Sequence, residues 1–199
     1  MTLGARDLEV ELAEAVHRAR NDLQAVSAML QLQASASADS AVGAALLEAA
    51  ARVRALASLN ARLDARAEGV ATTIDGRAFV DGLARDLRTM HVAQRPVALE
   101  AQAEPHPIPL VQAKPLGLIL NELVVNALKY AFPDGRAGTV AIAFRHMDGE
   151  YLLTVRDDGV GIDPAAPSRG TGLGRRMVRA LATQLGGSFT SGPVSDGGG

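Results

Sequence analysis

The chain has 199 residues, of which 48% are hydrophobic, so it is long enough for one large domain or two small domains with buried cores. Its 20 basic and 22 acidic residues give a net charge of −2, which argues against the basic surface that nucleic-acid-binding proteins carry. It has no cysteine, which excludes disulfides and thiolate metal sites. No apolar run of about 18 residues and no signal-peptide pattern is seen, so a cytoplasmic protein without a membrane span is expected.

The first part of the chain has the hydrophobic periodicity of two α-helices. Small and apolar residues recur mostly at steps of three and four, as in a helix packed in a bundle. In the first helix these are Leu12, Val16, Ala19, Leu23, Val26 and Leu30, and in the second Val42, Leu46, Ala49, Val53, Leu56 and Leu63. The stretch ASASADSAVG between them predicts a turn. Because two helices bury one face poorly, the pattern predicts a hairpin over residues 1–70 that forms a homodimeric four-helix bundle.

Around AEGVATTIDG this periodicity is lost, and a linker is expected there. From residue 71 onward the pattern is that of an α+β domain, with helices layered on a mixed sheet. The predicted helices are 76–90, 117–132 and 172–186, and the predicted strands are 96–101, 138–146 and 150–157. The stretch GGSFTS at 186–191 is expected to begin one more strand, whose remainder the sequence lacks.

Three motifs follow in a fixed order in this second domain: NELVVNALKY on the central helix, DDGVGI after the last predicted strand and GTGLG before the last helix. Asp157 can accept a hydrogen bond from the exocyclic amine of adenine, while Gly159 and Gly161 allow the backbone to approach the ring. The helix that follows GTGLG offers N–H groups to phosphates. Together the three motifs predict a nucleotide site, against the alternative of ordinary turns.

Polar residues of the central helix complete the predicted site. The side-chain oxygen of Asn126 is suited to Mg²⁺, and Lys129, three residues further on, can reach a phosphate. Asn121, Glu122 and Asn126 are costly on one amphipathic helix unless they have polar partners, which favours a functional role. The alternatives are that the asparagines satisfy a buried turn and that Lys129 is a solvated helix residue.

His17 lies one residue off the apolar seam of the first helix, on its exposed side, where it can act as a nucleophile towards a phosphoryl group. Asn21 follows on the same face, four residues further on. Glu14, one turn earlier, is the nearest carboxylate in sequence that could hold or remove an imidazole proton. Arg18 or Arg20 could steady the charge of the phosphoryl group. The alternative is a solvated, inert histidine.

Two stretches resemble the histidine kinases of the HisKA_2/HWE group, which have a GHKL-type ATP-binding domain. PLGLILNELVVNALKYAFPDGRAG is similar to the ATP-binding sequence of that group, and HRARNDLQAVSAMLQLQA is similar to its phosphoacceptor box, commonly H-R-x-x-N-x-L-Q. The resemblance covers about residues 8–192. Most histidine kinases have an acidic residue directly after the histidine, whereas this chain has Arg18.

The resemblance implies a two-component histidine kinase that moves the γ-phosphoryl group of Mg²⁺·ATP to His17 and then to an aspartate of a response-regulator receiver domain. It implies a dimerising hairpin at 1–70 and an α/β-sandwich ATP-binding domain of the GHKL/Bergerat type at 71–199. The implied catalytic residues are His17, Glu14, Arg18, Asn21 and Glu122. The implied nucleotide-binding residues are Asn121, Asn126, Lys129, Tyr130, Asp157, Gly159, Gly161, Gly170, Thr171, Gly172, Leu173 and Gly174, with Asn126 as the Mg²⁺ ligand.

Two other classes of function fit the same residues. A histidine phosphotransfer or docking protein with an inactive ATP domain would bind no nucleotide. A GHKL ATPase or serine kinase would use Glu122 as its base, and its activity would survive the loss of His17.

Overall fold

The computed structural model of the chain describes residues 3–67, 72–93, 95–161 and 172–192. The chain divides into two compact units, unit 1 (Met1–Ala71) and unit 2 (Thr72–Gly199). Unit 1 is a pair of helices and unit 2 is an α/β unit with a mixed sheet. The predicted fold class, a helical hairpin followed by an α/β sandwich, is thereby confirmed, whereas pairing with a second copy stays a prediction.

Unit 1 is built from two long helices, α1 (Leu3–Ala36) and α2 (Ser40–Ala67). The turn between them is shorter than the predicted stretch 34–43, because both helices extend into that stretch. Asp39 begins α2 as its N-cap: its Oδ1 accepts the backbone N–H groups of Ala41 at 2.8 Å and Val42 at 3.3 Å. The serine- and alanine-rich composition predicted the turn, and the cap determines its length.

Small residues allow the two helices to approach closely. Ser27 is buried, and its hydroxyl donates to the carbonyl of Ala50 at 3.1 Å. Near the turn, a Cβ on Gly43 would lie 3.2 Å from the Ala34 carbonyl, which is tighter than an ordinary contact. These contacts fix the register of the hairpin.

The predicted seam of α1 coincides only partly with the face that packs on α2. Leu23 and Leu30 are half-buried beside Ser27, but Val26 is 46% exposed. Sequence periodicity could not separate these positions, since Val26 and Ser27 are adjacent and serine is not counted as apolar. Met29 and Leu32 are exposed on the same helix as Val26.

Unit 2 contains five strands and three α-helices among its described residues. In chain order these are β1 (Thr73–Asp75), α3 (Gly76–Leu87), β2 (Val97–Ala103), β3 (Pro107–Pro109), α4 (Leu110–Tyr130), β4 (Gly138–Met147), β5 (Glu150–Asp157) and α5 (Leu173–Gln184). A π-helical turn (Arg88–Val92) follows α3 and a 3-10 turn (Pro133–Gly135) follows α4. Strand β4 is central, pairing parallel with β2 and antiparallel with β5, while β1 and β3 form a separate antiparallel pair.

The core of unit 2 lies between the three-stranded sheet and the helices. Alternate residues of β4 (Val140, Ile142 and Phe144) are buried, as expected when one face of a strand is covered. The helices contribute Phe79, Val80, Leu83, Ala84 and Leu87 from α3, Leu116, Ile119, Leu120, Val124 and Leu128 from α4, and Val178 and Ala182 from α5. Burial of these side chains provides the main driving force for folding of the unit.

Helix α4 begins seven residues before the predicted start at 117. Pro115 lies in its second turn, where it leaves the Val111 carbonyl without an intrahelical donor. Val111 is 83% exposed, so water can satisfy that carbonyl. At the other end the helix stops at Tyr130, because Phe132 precedes Pro133 and adopts φ −124° and ψ 68°, outside the helical region.

The strand predicted to begin at 186–191 is wrong as far as the described residues extend, since residues 186–192 form no strand. Phe189 instead packs against the cluster formed by Ile119, Val178 and Ala182. The remainder of the predicted strand region, 193–199, lies outside the described residues. Within the described part of the chain, no helix combines the length and apolar character needed to cross a membrane.

Candidate functional site

The candidate phosphoacceptor region lies on the surface of α1. His17, Glu14, Arg18 and Asn21 are all exposed. The side-chain amide nitrogen of Asn21 lies 3.2 Å from Nδ1 of His17. Among the described residues, Glu14 forms no hydrogen bond or ion pair. The carboxylate that sequence proximity favoured is therefore not the group in contact with the imidazole; an amide is.

The position of His17 follows from the helix geometry of the hairpin. Ser27 marks the face of α1 that packs on α2, and His17 precedes it by ten residues. At about 100° per residue, ten residues turn the side chain roughly 80° away from the packed face. His17 therefore projects sideways from the hairpin, where a phosphoryl donor can reach it.

In unit 2, α4 presents its polar residues to the start of α5. Glu122 is only 4% exposed, and Asn126 donates its Nδ2 to Oε1 of Glu122 at 3.4 Å. A Cβ on Gly174 would collide with the Glu122 carboxylate, so a larger residue there would require that side chain to move. Asn121, next to Glu122, is half-buried. The acidic residue of the motif is thus enclosed between two helices.

The loop after β5 is held against the end of α4. The backbone N–H of Val160 donates to the Ala131 carbonyl at 3.0 Å. A Cβ on Gly159 would collide with that same carbonyl, which explains the glycine. Oδ1 of Asp157 accepts the Gly159 N–H at 3.2 Å, and the Asp157 side chain is exposed. Gly161, with φ +73°, has the backbone conformation that favours glycine.

The two consecutive aspartates of this loop have different environments. Oδ1 of Asp158 accepts the backbone N–H of Thr139 at 2.7 Å, which joins the loop to the start of β4. Its carbonyl accepts from Nη2 of Arg136 at 3.4 Å. Within the described parts of the chain, the Asp157 side chain has only the local turn bond from the Gly159 N–H. The geometry therefore favours Asp157 for ligand contact and gives Asp158 a structural role.

The C-terminal end of α4 carries two of the predicted nucleotide contacts. Nζ of Lys129 lies 5.0 Å from the centroid of the Tyr130 ring, within the range of a cation–π contact. Arg95 donates from Nη1 to the Leu128 carbonyl at 2.8 Å, which stabilises the negative end of the helix dipole. Sequence inspection missed Arg95 because a cation that caps a helix end has no motif of its own.

Helix α5 begins at a glycine turn, and no side chain caps its N-terminus among the described residues. Gly172 is the N-cap, in the left-handed conformation at φ 67° and ψ −1°. Leu173 is 49% exposed and Gly174 is buried. The other two residues predicted here, Gly170 and Thr171, lie outside the described residues.

The structure thus brings Glu122 and Asn126 next to Gly174, and places Asp157 and Gly159 at the end of α4. Besides Arg95, two contributors were not identified from the sequence: the Asp158 carboxylate and the Ala131 carbonyl. The carbonyl could not have been found, because any residue supplies one. Asp158 is adjacent to Asp157 in the motif, so the sequence does not distinguish their roles. The bond from the Thr139 N–H to Asp158 does.

The residues present fit a single-ligand Mg²⁺ site. The nitrogen of the Asn126 amide donates to Glu122, so the oxygen is the atom left for a cation. Mg²⁺ is usually bound through one or two protein oxygens together with nucleotide phosphates. Over the described ranges no group of three or more histidine, aspartate or glutamate side chains is arranged to hold a metal, so a site made only of protein ligands is not found there.

Comparison with known proteins agrees with this geometry. Residues 14–91 match the HisKA_2 family, described as histidine kinase. Residues 111–199 match the HATPase_c family, described as histidine kinase-, DNA gyrase B-, and HSP90-like ATPase. The chain is 34% identical over 188 residues to blue-light-activated histidine kinase 2 of Erythrobacter litoralis, covering 92% of this chain and 53% of that protein. It is 27% identical over 184 residues to sensor histidine kinase PdtaS of Mycobacterium tuberculosis, covering 91% and 36%.

The chain therefore spans about half of the first relative and little more than a third of the second. Among solved structures it is similar to the histidine kinase domain of the blue-light-activated kinase EL346 from Erythrobacter litoralis. That similarity has a TM-score of 0.59 at 31% identity and covers 92% of this chain and 84% of the other. The chain belongs to the histidine kinase family, with a HisKA_2 segment followed by a GHKL-type HATPase_c domain.

Proposed function

We propose that this chain is the core of a two-component histidine kinase, which phosphorylates its own His17 from Mg²⁺·ATP and passes the phosphoryl group to an aspartate of a receiver domain. The observation that carries the proposal is the exposed pair of His17 and Asn21 within the HisKA_2 segment. The arrangement of Asn126, Asp157 and the start of α5 within the HATPase_c domain supports it. Mg²⁺·ATP is the expected cofactor, and the cytoplasm is the expected location.

Nucleotide binding is assigned to unit 2. The exposed Asp157 carboxylate accepts the exocyclic amine of adenine, and the glycine at 159 keeps the loop close to α4 so that the ring can enter. The N–H groups at the start of α5 receive the phosphates, and Lys129 adds a positive charge. Tyr130 is assigned to the same end of α4, where its ring contacts Lys129.

Asn126 is assigned to hold Mg²⁺ through its side-chain oxygen, together with phosphate oxygens of the nucleotide. When bound, the ion neutralises charge that develops on the phosphates during transfer. Glu122 keeps the Asn126 amide in that orientation by accepting its N–H. Asn121 is assigned to the same polar helix face, where it is half-buried.

In the transfer step, a nitrogen of His17 forms a bond to the γ-phosphorus, and the bond from that phosphorus to the bridging oxygen of ADP breaks. The electron pair leaves with ADP. The chain contributes positioning and electrostatic stabilisation, since the phosphoryl group reacts with little covalent help from the protein. Arg18, exposed beside His17, is assigned to stabilise the charge of the phosphoryl group.

The burial of Glu122 argues against the competing ATPase or serine-kinase function. A general base must come within hydrogen-bond reach of the proton that it removes. Glu122 is 4% exposed, and Gly174 of α5 lies directly against its carboxylate. A supporting role for this carboxylate agrees better with these contacts than proton removal from a substrate.

The test is incubation of the chain with ATP labelled in its γ-phosphate, followed by exposure of the labelled protein to acid and to alkali. Phosphohistidine survives alkali and is lost in acid, so label with that behaviour is expected. Acid-stable label would favour a serine kinase, and an absence of nucleotide binding would favour a docking protein. Either result would overturn the proposal.

Pairing of two chains through the hairpin is part of the proposal. Val26, Met29 and Leu32 on α1 and Val42 and Leu47 on α2 are exposed, although large apolar side chains are usually covered in a bundle. A second hairpin would cover them. Sedimentation equilibrium of the chain should give twice the monomer mass. Replacement of Met29 by Glu should reduce the measured mass to that of the monomer.

A further inference from the structure

We propose that His106 and His146 form a binding site for a divalent transition-metal ion such as Zn²⁺. This site goes beyond the kinase function, because it uses none of the residues assigned to nucleotide binding or phosphoryl transfer. The observation that carries it is a contact between two of the four histidines of the chain. Their ring centroids lie 4.5 Å apart, although one histidine precedes β3 and the other belongs to β4.

The two histidines lie at the end of the sheet opposite to the nucleotide loop. His146 continues the alternation of Val140, Ile142 and Phe144 along β4, so its side chain projects from the same face of the strand. Asp157 pairs with Val140, near the start of β4. Along an extended strand, the distance from Val140 to His146 is about 20 Å. The proposed metal site is therefore separate from the nucleotide site.

Contacts with neighbouring elements hold both histidines in place. The carbonyl of His106 accepts the backbone N–H of Gly76 at 2.7 Å. The carbonyl of the next residue, Pro107, accepts the hydroxyl group of Tyr151 at 2.6 Å. The Tyr151 ring in turn contacts the His146 ring, with centroids 5.0 Å apart. Ligands that are already positioned by such contacts lose little freedom when an ion binds.

Glu104 is the carboxylate that orients His106. Its Oε2 accepts the backbone N–H of His146 at 3.2 Å and lies 3.7 Å from Nε2 of His106. Histidines that bind metal usually donate the N–H of their other ring nitrogen to a carboxylate or carbonyl, which fixes the ring and raises its basicity. Nε2 of His106 is accordingly assigned to Glu104, which leaves Nδ1 for the ion.

The imidazole rings are accessible to an ion. Within the described ranges, the ring nitrogens of His106 and His146 form no hydrogen bond, and their only charged neighbour is Glu104. The His106 side chain is 35% exposed and His146 is half-buried, so an ion can enter from solvent. Two imidazoles on one ion, at metal–nitrogen distances of about 2.0–2.1 Å, place their centroids roughly 4.5–5 Å apart. The observed separation of 4.5 Å agrees with this.

The ligand chemistry selects the class of ion. Imidazole nitrogen suits Zn²⁺, Cu²⁺ and Ni²⁺, whereas Mg²⁺ prefers oxygen ligands. No three histidine, aspartate or glutamate side chains of the described residues are arranged to hold a metal, so this site has two protein ligands and water completes the coordination. An ion held in this way joins the turn after β2 to the end of β4, and its binding stabilises the folded unit 2.

The experiment is titration calorimetry of the full chain with Zn²⁺, in excess Mg²⁺ and without nucleotide. One ion should bind per chain with a Kd below about 100 μM. His106→Gln and His146→Gln should each weaken that binding by at least about 10-fold, and Glu104→Gln by about 10-fold. His91→Gln is the matched control, because His91 belongs to the π-helical turn after α3, and it should leave the Kd unchanged. Absence of binding, or the same Kd in both ligand variants as in the unmodified chain, would overturn the proposal.

Nuclear magnetic resonance of the unmodified chain gives a second readout, which does not depend on the folding of any variant. As Zn²⁺ is added, the ring signals of His106 and His146 should shift before those of His17 and His91. A shift of His17 or His91 first would place the ion elsewhere and contradict the proposal. Neither measurement needs ATP, so the metal site and the kinase function can fail separately.

Discussion

His17 in unit 1 has its hydrogen-bonding neighbour on the same helix, whereas Asp157 in unit 2 depends on a loop that is bonded to a different helix. The first arrangement needs only an intact α1. The second needs β5, the loop after it and the end of α4 to pack correctly, with glycine at 159 where a side chain would collide. Substitutions in the hairpin site should therefore change chemistry alone, while those in the nucleotide site can change both binding and folding.

The same contrast appears in burial. The candidate phosphoacceptor residues are exposed, whereas Asn121 and Asn126 of α4 are half-buried and Glu122 is buried. A phosphoacceptor must be reached by a donor, so exposure suits it. A nucleotide site must hold metal and phosphate ligands in fixed positions, and burial of Glu122 between α4 and α5 restricts their movement.

The largest expected effect is that of His17→Ala, which should abolish transfer of label from ATP. ATP affinity should stay within a few-fold, because unit 2 is unchanged. The melting temperature should also be unchanged or slightly higher, since His17 is exposed and alanine favours helix. Filter binding would measure the label on the protein, and calorimetry would measure the ATP affinity and the melting temperature. Asp22→Ala is the control for all three. Label that persists in His17→Ala would show that the phosphoacceptor lies elsewhere.

The two adjacent aspartates of unit 2 should separate binding from folding. Asp157→Ala should weaken ADP binding by about 1.5–3 kcal/mol, or roughly 10- to 150-fold, because a charged acceptor for the adenine amine is lost. Asp158→Ala should instead reduce the free energy of unfolding by about 1 kcal/mol, through loss of the bond to Thr139. Titration calorimetry would measure the ADP affinity of both variants, and urea denaturation would measure their free energies of unfolding. The reverse pattern would exchange the roles given to the two residues.

Gly159→Ala should reduce both folding and binding, which no exposed residue of the hairpin should do. A Cβ at 159 collides with the Ala131 carbonyl, and such overpacking costs about 1–3 kcal/mol in the free energy of unfolding. Gly192→Ala is the matched control, because no atom lies within 4 Å of a Cβ at that position. Urea denaturation with and without ADP would measure both effects. Equal stability of the two variants would show that the loop relaxes without cost.

Asn126→Ala should have the smallest effect, and one that depends on the metal. Nucleotide affinity should fall about 3- to 10-fold more in Mg²⁺ than in a chelator, because the side-chain oxygen acts on the cation rather than on the nucleotide. Replacement of Lys129 by Ala is the comparison, since a residue that contacts phosphate should matter in both conditions. An equal loss in Mg²⁺ and in chelator for Asn126→Ala would remove it as the metal ligand.

Much of the fold could be predicted from the sequence because its signals are local. The alternation of apolar residues predicted β4 and β5 to within one residue, and the break before Pro133 lies near the observed end of α4. The start of α4 was misplaced, because nothing between Leu110 and Pro115 marks a helix N-terminus. The family resemblance was confirmed by matches over 14–91 and 111–199. The individual site residues remain predictions that the variants above test.

The sequence alone determined the residue types of the two sites and the order of the elements that carry them, since helix and strand periods and glycine motifs are properties of short segments. Only the tertiary structure decided which neighbours those residues have. It placed Asn21, rather than Glu14, at Nδ1 of His17, assigned Asp158 to Thr139 and left Asp157 exposed. It also enclosed Glu122 behind Gly174. The neighbour of His17 depends on side-chain rotamers within α1, and the other outcomes depend on contacts between elements distant in sequence.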